Sequence, residues 1–380
     1  MDAKVFIDKC LEYGIDFFAG VPDSQLKGLC DELFARYGTD GKTHVVAHNE
    51  GGAVAMCAGH FLATGHPGLC YMQNSGLGNA VNPLASLMDK QVYALPCLLV
   101  VGWRGEPGIK DEPQHVKQGQ ITPGQLDLLG IPYHILERDE TNDTFIQSFN
   151  QADKVLRSGG CFAFVVRKGA LTTESVADYS NGRMLKRETA ASMILTSAGP
   201  KDVFVSTTGK LSREVFEIRE QRGESHERDF LTVGSMGHAG MIALGIAEAD
   251  PGRRVWCLEG DGAMMMHLGA AALIGQRKPD NLIHVIINNG AHETVGGMPV
   301  CSGKLNIASF AAAAGYPAVF SASDEKELSD VLVKAQEVHT LCLIEIKCAN
   351  GARSDLGRPT TTPVQNRDAL MRFLKQVEKQ

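Results

Sequence analysis

No stretch of about 18 uninterrupted apolar residues occurs, so nothing in the sequence is suited to crossing a bilayer. The opening segment, MDAKVFIDKCLEYGIDFF, sets acids among its apolar residues and has no secretory hydrophobic core, which predicts a cytoplasmic protein. Basic residues are not in excess. The 37 Lys and Arg face 44 Asp and Glu for a net charge of −7, which argues against a nucleic-acid partner. None of the 10 cysteines forms a CxxC pair, so neither a zinc knuckle nor a thioredoxin-like site is expected. Most lie in apolar segments, where a thiol behaves as a small hydrophobe, and buried reduced thiols also fit the cytoplasm.

What remains is a chain of 380 residues, enough for two domains of roughly 150–200 residues. Hydrophobic residues make up 44% and charged residues 21%, the balance of a soluble protein with real cores. The 41 glycines cluster between apolar runs, a pattern that suits backbone turns approaching a ligand closely.

Apolar β-type runs alternate with helical patterns through the first half. A strand is predicted at 15–19, a helix at 24–37, a strand at 43–47, a helix at 50–64 and a strand at 69–73. A Gly- and Asn-rich loop (QNSGLGNAVNP), a helix and the buried run LPCLLVVG at 95–102 follow. Continuous apolar strands separated by helices imply a parallel sheet covered on both faces. Residues 103–125 are too rich in Pro, Gly and charge to read as regular structure, and a loop of that length is usually functional. A strand at 161–167 closes this half. The polar stretch around 168–188 places domains at 1–170 and 188–380, joined by a linker over 171–187. The second half repeats the plan, with strands at 202–206, 254–258, 282–288 and 341–347, helices at 188–197, 264–276 and 307–314, and a strand-turn-helix at 230–248. The expected class is α/β, with two tandem parallel-sheet domains and no middle domain.

Gly260-Asp261-Gly262 follows the strand RRVWCLE, and 25 residues later Asn288-Asn289-Gly290 follows the strand NLIHVII. Both turns fall at carboxyl ends of parallel strands, where such sheets bind ligands. The glycines let backbone amides approach a phosphate at the start of a helix. Asp261 offers an anionic oxygen and the Asn an amide oxygen, a set that suits Mg2+ bridging to diphosphate. GDG turns alone are common; two strand ends with oxygen ligands are much less so.

This spacing resembles the thiamine-diphosphate-binding signature, in which a GDG turn and an NN pair stand about this far apart. The resemblance implies Asp261, Asn289 and the carbonyl of Ala291 as metal ligands, with Asn288 an open alternative. It implies cofactor contacts from Gly260, Gly262, Ala263 and His292, though His292 also reads as a substrate contact or a plain loop histidine. Gly234 matches the carbonyl that accepts from the aminopyrimidine, and Met236 the side chain that props the cofactor bent; alone, a Met reads as core. Thr207, Thr208 and Gly209 match a turn against the far phosphate. Glu50, which opens the Ala/Gly-rich helix EGGAVAMCAGHFLATG, matches the acid that hydrogen-bonds the pyrimidine, although it also reads as an acid favoured by the helix dipole. The family builds its sites from two chains, which implies at least a homodimer with sites at the subunit interface.

Across nearly the whole chain, the stretches GVPDSQLK, HNEGGAVAMCAGH, DEPQHVKQGQIT, STTGKLSREVFE, VGSMGHA and NNGAHETVGGMP resemble the phosphonopyruvate and sulfopyruvate decarboxylase subgroup. The implied activity is non-oxidative decarboxylation of a small 2-oxo acid, phosphonopyruvate ahead of sulfopyruvate, with thiamine diphosphate and Mg2+. Substrate candidates are Asp23, Ser24, Asn79, Arg104, His115 and Gln118, with the segment 103–122 expected to order over bound substrate. A rival of another class is a nucleotide-binding regulatory protein without catalysis, which would have no use for Glu50.

Overall fold

Each apolar run becomes a strand of a parallel sheet with helices packed on its faces. The computed structural model describes residues 1–39, 41–175 and 179–376. The chain divides into two compact units, Met1–Asp178 with Thr294–Pro299 and Tyr179–Glu293 with Val300–Gln380. The expected linker over 171–187 straddles this division.

Unit 1 runs α1 (Ala3–Glu12), β1 (Phe17–Gly20), α2 (Lys27–Tyr37), β2 (His44–Val46), α3 (Glu50–Thr64), β3 (Gly68–Gln73), α4 (Leu77–Pro83), β4 (Cys97–Gly102), α5 (Pro113–Leu128), β5 (Tyr133–Leu136), α6 (Asn142–Arg157) and β6 (Phe162–Val166). Its six-stranded sheet has the order β2-β1-β3-β4-β6-β5. Unit 2 runs α7 (Arg187–Ser197), β7 (Val203–Ser206), α8 (Lys210–Arg222), β8 (Asp229–Leu231), α9 (Ala239–Ala249), β9 (Val255–Gly260), α10 (Asp261–Met266), α11 (Gly269–Arg277), β10 (Leu282–Asn288), α12 (Ile307–Ala313), β11 (Ala318–Ala322), α13 (Glu325–Glu337), β12 (Cys342–Lys347) and α14 (Pro363–Gln376). Its six-stranded sheet has the order β11-β12-β10-β9-β7-β8. Counted within its own unit, each sheet reads 2-1-3-4-6-5, so the two tandem domains share one topology. Every residue of β4 and of β10 is buried, as expected for parallel strands covered on both faces. Among the described residues, no helix is long and apolar enough to cross a membrane.

Three local expectations are corrected. Residues 74–83 are helical rather than a loop: a short 3-10 turn over Asn74–Gly76 leads into α4. Leu77 and Ala80 bury one side of α4 in the unit 1 core with Ala53, Val54 and Cys57 of α3, and this packing overrides the poor helix propensity of Gly and Asn. The expected helix over 264–276 is two helices, α10 and α11, parted at His267 and Leu268, where the His267 ring lies tilted against that of His238, centroids 4.4 Å apart.

The largest correction concerns 103–125. Only its first part is irregular, and residues 113–122 already lie within α5, so the segment is not a single loop awaiting substrate. Pro113 sits at the first helical position, where a missing N–H costs nothing. Pro123 lies inside the helix and cannot donate to the carbonyl one turn back, that of Gly119. The Trp103 indole fills the gap: its Nε1–H donates to the Gly119 carbonyl at 2.9 Å, in a buried setting. The backbone of Gly105 also packs against α5 here, so closely that a Cβ at Gly119 would lie 1.7 Å from the Gly105 carbonyl oxygen.

Trp103→Phe keeps a ring but orphans the Gly119 carbonyl, so it should cost about 1–3 kcal/mol in urea unfolding followed by circular dichroism. Adding Pro123→Ala supplies a backbone N–H for that carbonyl and should restore part of the loss. Simple additivity of the two changes would refute this coupling.

Candidate active site

In unit 2 the sheet order reverses between β7 and β9, the position where open parallel sheets leave a crevice. The turns after these strands and after their neighbours β8 and β10 hold most of the residues singled out above. After β7, Thr207 is buried and its carbonyl accepts from Ser212 Oγ at 2.7 Å. Gly209 adopts φ 97° and leads into α8. Thr208 Oγ1 accepts from the Gly234 N–H at 3.0 Å, which ties the turn after β7 to the turn after β8. That second turn carries Ser235 at φ 46°, a left-handed conformation that a non-glycine residue holds only at a cost. A Cβ added at Gly262 would meet Val300 at 3.0 Å, His292 Cε1 at 3.5 Å and Met236 Cε at 3.6 Å, so Met236 and His292 converge on the GDG turn. Part of His292 reaches solvent, yet burial pushes its pKa down to about 4. A Cβ at Gly260 would meet nothing within 4 Å, so packing within the chain does not require this glycine. Ala263, one residue beyond the turn in α10, is buried.

Asp261 opens α10 and is 1% exposed. Its carboxylate accepts from Ser302 Oγ at 2.7 Å, and the backbone N–H groups of Gly262 and Gly290 also face it. Burial outweighs these bonds and pushes its pKa up to about 6. Through Gly290, the turns after β9 and β10 meet at this carboxylate. The two asparagines differ. Asn288 is committed inward, with Nδ2 donating to Glu345 at 2.7 Å and Oδ1 accepting from Arg183 at 3.3 Å. Asn289 Nδ2 donates to Glu293 at 2.8 Å, while its Oδ1 takes a longer bond from the Ala291 N–H at 3.2 Å.

In unit 1, Glu50 begins α3 because Asn49 caps the helix, Oδ1 accepting from the Gly52 N–H at 2.8 Å. Glu50 is 4% exposed, and burial raises its pKa against the lowering effect of Asn79, whose Nδ2 donates to Oε2 at 2.7 Å. Oε1 lies against Gly76, where a Cβ would come within 2.4 Å of it; only glycine leaves room for the acid.

A second polar group lies at the carboxyl ends of β1, β3 and β4. Asp23 is buried and accepts from Gln73 at 2.5 Å and from the Gln25 N–H at 2.8 Å, with burial raising its pKa. Arg104 donates to Ser24 Oγ at 3.0 Å and grips Asp111 through Nε at 2.8 Å and a terminal nitrogen at 2.5 Å. His115 Nδ1 lies 2.9 Å from the same carboxylate. Although burial opposes it, the combined bonds from Arg104, His115 and two backbone N–H groups hold Asp111 far below the ordinary carboxylate range. Asp23, Ser24, Arg104 and His115 are thus brought together. Asn79 is instead the partner of Glu50, and Gln118 contributes its carbonyl to Thr122 Oγ1 at 2.6 Å.

Sequence reasoning missed Asp111, Asn74, Ser302 and Glu293. Asn74 joins this second group, donating to the Arg104 carbonyl at 2.8 Å and to Thr122 at 2.9 Å. The signal for Asp111 was its place just before the Pro113 helix start; Asn74 and Glu293 lie within the stretches QNSGLGNAVNP and NNGAHETVGGMP quoted above, and Ser302 carries no local pattern.

Comparison with known proteins places this geometry in context. The model of the thiamine pyrophosphate enzyme N-terminal TPP binding domain matches residues 3–127, and that of the C-terminal TPP binding domain matches residues 207–346. The chain is similar to phosphonopyruvate decarboxylase of Streptomyces viridochromogenes, with 34% identity over 93% of this chain and 89% of the relative. Phosphonopyruvate decarboxylase of Streptomyces hygroscopicus is 32% identical over 92% of this chain and 88% of its own length. Sulfopyruvate decarboxylase of Methanosarcina acetivorans is more distant, at 24% identity over 88% of this chain and 87% of the relative.

The Asp261 pKa of about 6 sets a pH dependence. Unfolded, an aspartate releases its proton near its ordinary value, so the folded metal-free protein holds a proton that the unfolded chain has lost. Stability from this group therefore falls as pH rises between about 4 and 6. In chelator-treated protein, Asp261→Asn should unfold at a higher temperature than wild type at about pH 7 and lose that advantage at about pH 4. A difference independent of pH would show that Asp261 titrates normally.

Proposed function

From the membership of this chain in the thiamine pyrophosphate enzyme family, and there in the phosphonopyruvate decarboxylase subgroup, we propose that it converts 3-phosphonopyruvate to phosphonoacetaldehyde and carbon dioxide, using thiamine diphosphate and Mg2+. The observation that carries this reading is the meeting of the GDG and NNG turns at the buried Asp261 carboxylate. Thiamine diphosphate supplies an electron sink for loss of carbon dioxide from a 2-oxo acid, and the protein supplies position and electrostatics.

Asp261, Asn289 and the Ala291 carbonyl would hold the Mg2+, an all-oxygen set that suits a hard cation. The commitment of Asn288 to Glu345 and Arg183 supports Asn289 as the ligand. A divalent cation would offset the burial that now raises the Asp261 pKa. Gly260 and Gly262 leave backbone open to the diphosphate; Ala263 and His292 border the same turn. Thr207, Thr208 and Gly209 would face the far phosphate at the start of α8. Gly234 would accept from the aminopyrimidine, with Met236 as the prop. Glu50 would hold a proton on Oε1, the oxygen that Asn79 leaves free, and pass it to and from the pyrimidine.

Ser24, Arg104 and His115, with Asp23 beside them, would meet the substrate, and the hydrogen bond from Asn79 to Glu50 supports a role for Asn79 in holding the acid. Asp111 already balances part of the Arg104 charge, which leaves this arginine to orient the phosphonate with hydrogen bonds as much as with charge. The greater distance of the sulfopyruvate relative favours phosphonate over sulfonate. At least two copies would associate, with sites at the subunit interface. The solvent side of α3, with Met56 at 41% and Leu62 at 72% exposure, supports an apolar contact of this kind. Nine buried free thiols fit a cytoplasmic setting.

Carbon dioxide release from phosphonopyruvate, sulfopyruvate and pyruvate, measured side by side with cofactor and Mg2+, should be fastest for phosphonopyruvate; preference for another acid would overturn the substrate. Glu50→Gln should still bind thiamine diphosphate yet lose about two to four orders of magnitude in turnover, and near-normal rates would remove Glu50 from the reaction. Asp261→Ala should fail to retain the cofactor at millimolar Mg2+, as read by equilibrium dialysis.

A further inference from the structure

Only the oxygen of an asparagine amide can ligate a cation, and the nitrogen end differs little in size. Something must therefore choose which end of Asn289 is offered. Glu293 is placed to make that choice. Its Oε2 accepts from Asn289 Nδ2 at 2.8 Å, and a carboxylate, having no proton to give, selects the nitrogen end of the amide. The Ala291 N–H, a donor, selects the oxygen end from the other side at 3.2 Å.

Glu293 is itself held from several directions. The Gly351 N–H lies 3.0 Å from Oε1 and 2.9 Å from Oε2. Arg187 reaches Oε2 at 3.4 Å, and Arg187 is fixed by a buried two-pronged pair with Glu214, both contacts at 2.7 Å. Lys210 stands 3.6 Å from Oε1. Lys210 is the first residue of α8, directly after the Thr207-Thr208-Gly209 turn. One carboxylate thus links the turn after β10 to the turn after β7.

We propose that Glu293 is a positioning residue for the divalent cation: it fixes the Asn289 amide with its oxygen toward the metal and ties this ligand to the start of α8. This rests on the reading of Asn289 as a ligand. Outer partners of metal ligands typically contribute about 10–100-fold to affinity, and the same scale is expected here.

The test uses Mn2+ as probe, titrated into the protein in the presence of thiamine diphosphate, with free Mn2+ read by electron paramagnetic resonance. Glu293→Gln offers a donor as well as an acceptor to the amide and should weaken Mn2+ binding about 10–100-fold. A carboxylate at position 289 has two equivalent oxygens and needs no orientation. In an Asn289→Asp background, Glu293→Gln should therefore change Mn2+ affinity by less than about threefold, because the ligand no longer depends on its neighbour. Equal losses in both backgrounds would overturn the proposal in favour of a general structural role, as would unchanged affinity in Glu293→Gln alone. Asn289→Ala separates the two readings: if it leaves Mn2+ affinity unchanged, the ligand assignment fails and the proposal with it; if it weakens binding while Glu293→Gln does not, only the proposal fails. Should Glu293→Gln not fold, Glu293→Asp, which keeps the charge but withdraws the acceptor from Asn289, replaces it with the same expectations.

Discussion

Taking a carboxylate out of water costs several kcal/mol unless hydrogen bonds or an opposite charge compensate, and this cost organises both units. Asp261 sits at 1% exposure with a serine hydroxyl and two backbone amides against it, and its proton affinity still rises. The hydrogen bonds are worth about 1.5–3 kcal/mol each when the acceptor is charged, so together they moderate the penalty without removing it. What is left over is a site whose electrostatics favour a positive partner. The surrounding turns are built to keep this carboxylate in place: Ser302 from one side, Gly290 from the end of β10, Gly262 from the helix that Asp261 begins.

Unit 1 applies the same constraint differently. Glu50 and Asp23 are buried acids with raised proton affinity, each held chiefly by an amide side chain, Asn79 for one and Gln73 for the other. Asp111 is the contrast, surrounded by Arg104, His115 and backbone amides and held firmly ionised. The shared strand order explains why such groups recur. In each sheet, strands 1 and 3 run outward from the point where the winding reverses, and the turns at their carboxyl ends carry Asp23 and Asn74 in one unit, Thr207 and Asp261 in the other.

Long apolar strands and the GDG and NN turns were legible in the sequence because their signals are local. β4 and β10 are continuous hydrophobic runs, and α3 begins at its Asn49 cap and ends at Gly65 in a left-handed conformation. What escaped depends on contacts distant in sequence. Proline and glycine in α5 read as breakers until the indole of Trp103, 16 residues from Gly119, supplies the missing donor. The Gly- and Asn-rich segment of α4 reads as loop until its apolar side meets α3. Ser302 carries no motif, and its partner Asp261 lies 41 residues away across turns that only the folded sheet brings together; Glu293 bonds Asn289 four residues off, but its other partners, Gly351 and Arg187, are distant in sequence.

The ten cysteines give this site a practical handle. Nine are buried and Cys301 alone is exposed. It adjoins Ser302, whose hydroxyl bonds the Asp261 carboxylate. What burial Cys301 retains pushes its thiol pKa up, so it couples to a maleimide more slowly than a free thiol at the same pH. Of the ten thiols, the one exposed in the single chain thus adjoins the serine that bonds the Asp261 carboxylate, which makes Cys301 the position of choice for a thiol-directed fluorophore reporting on this turn.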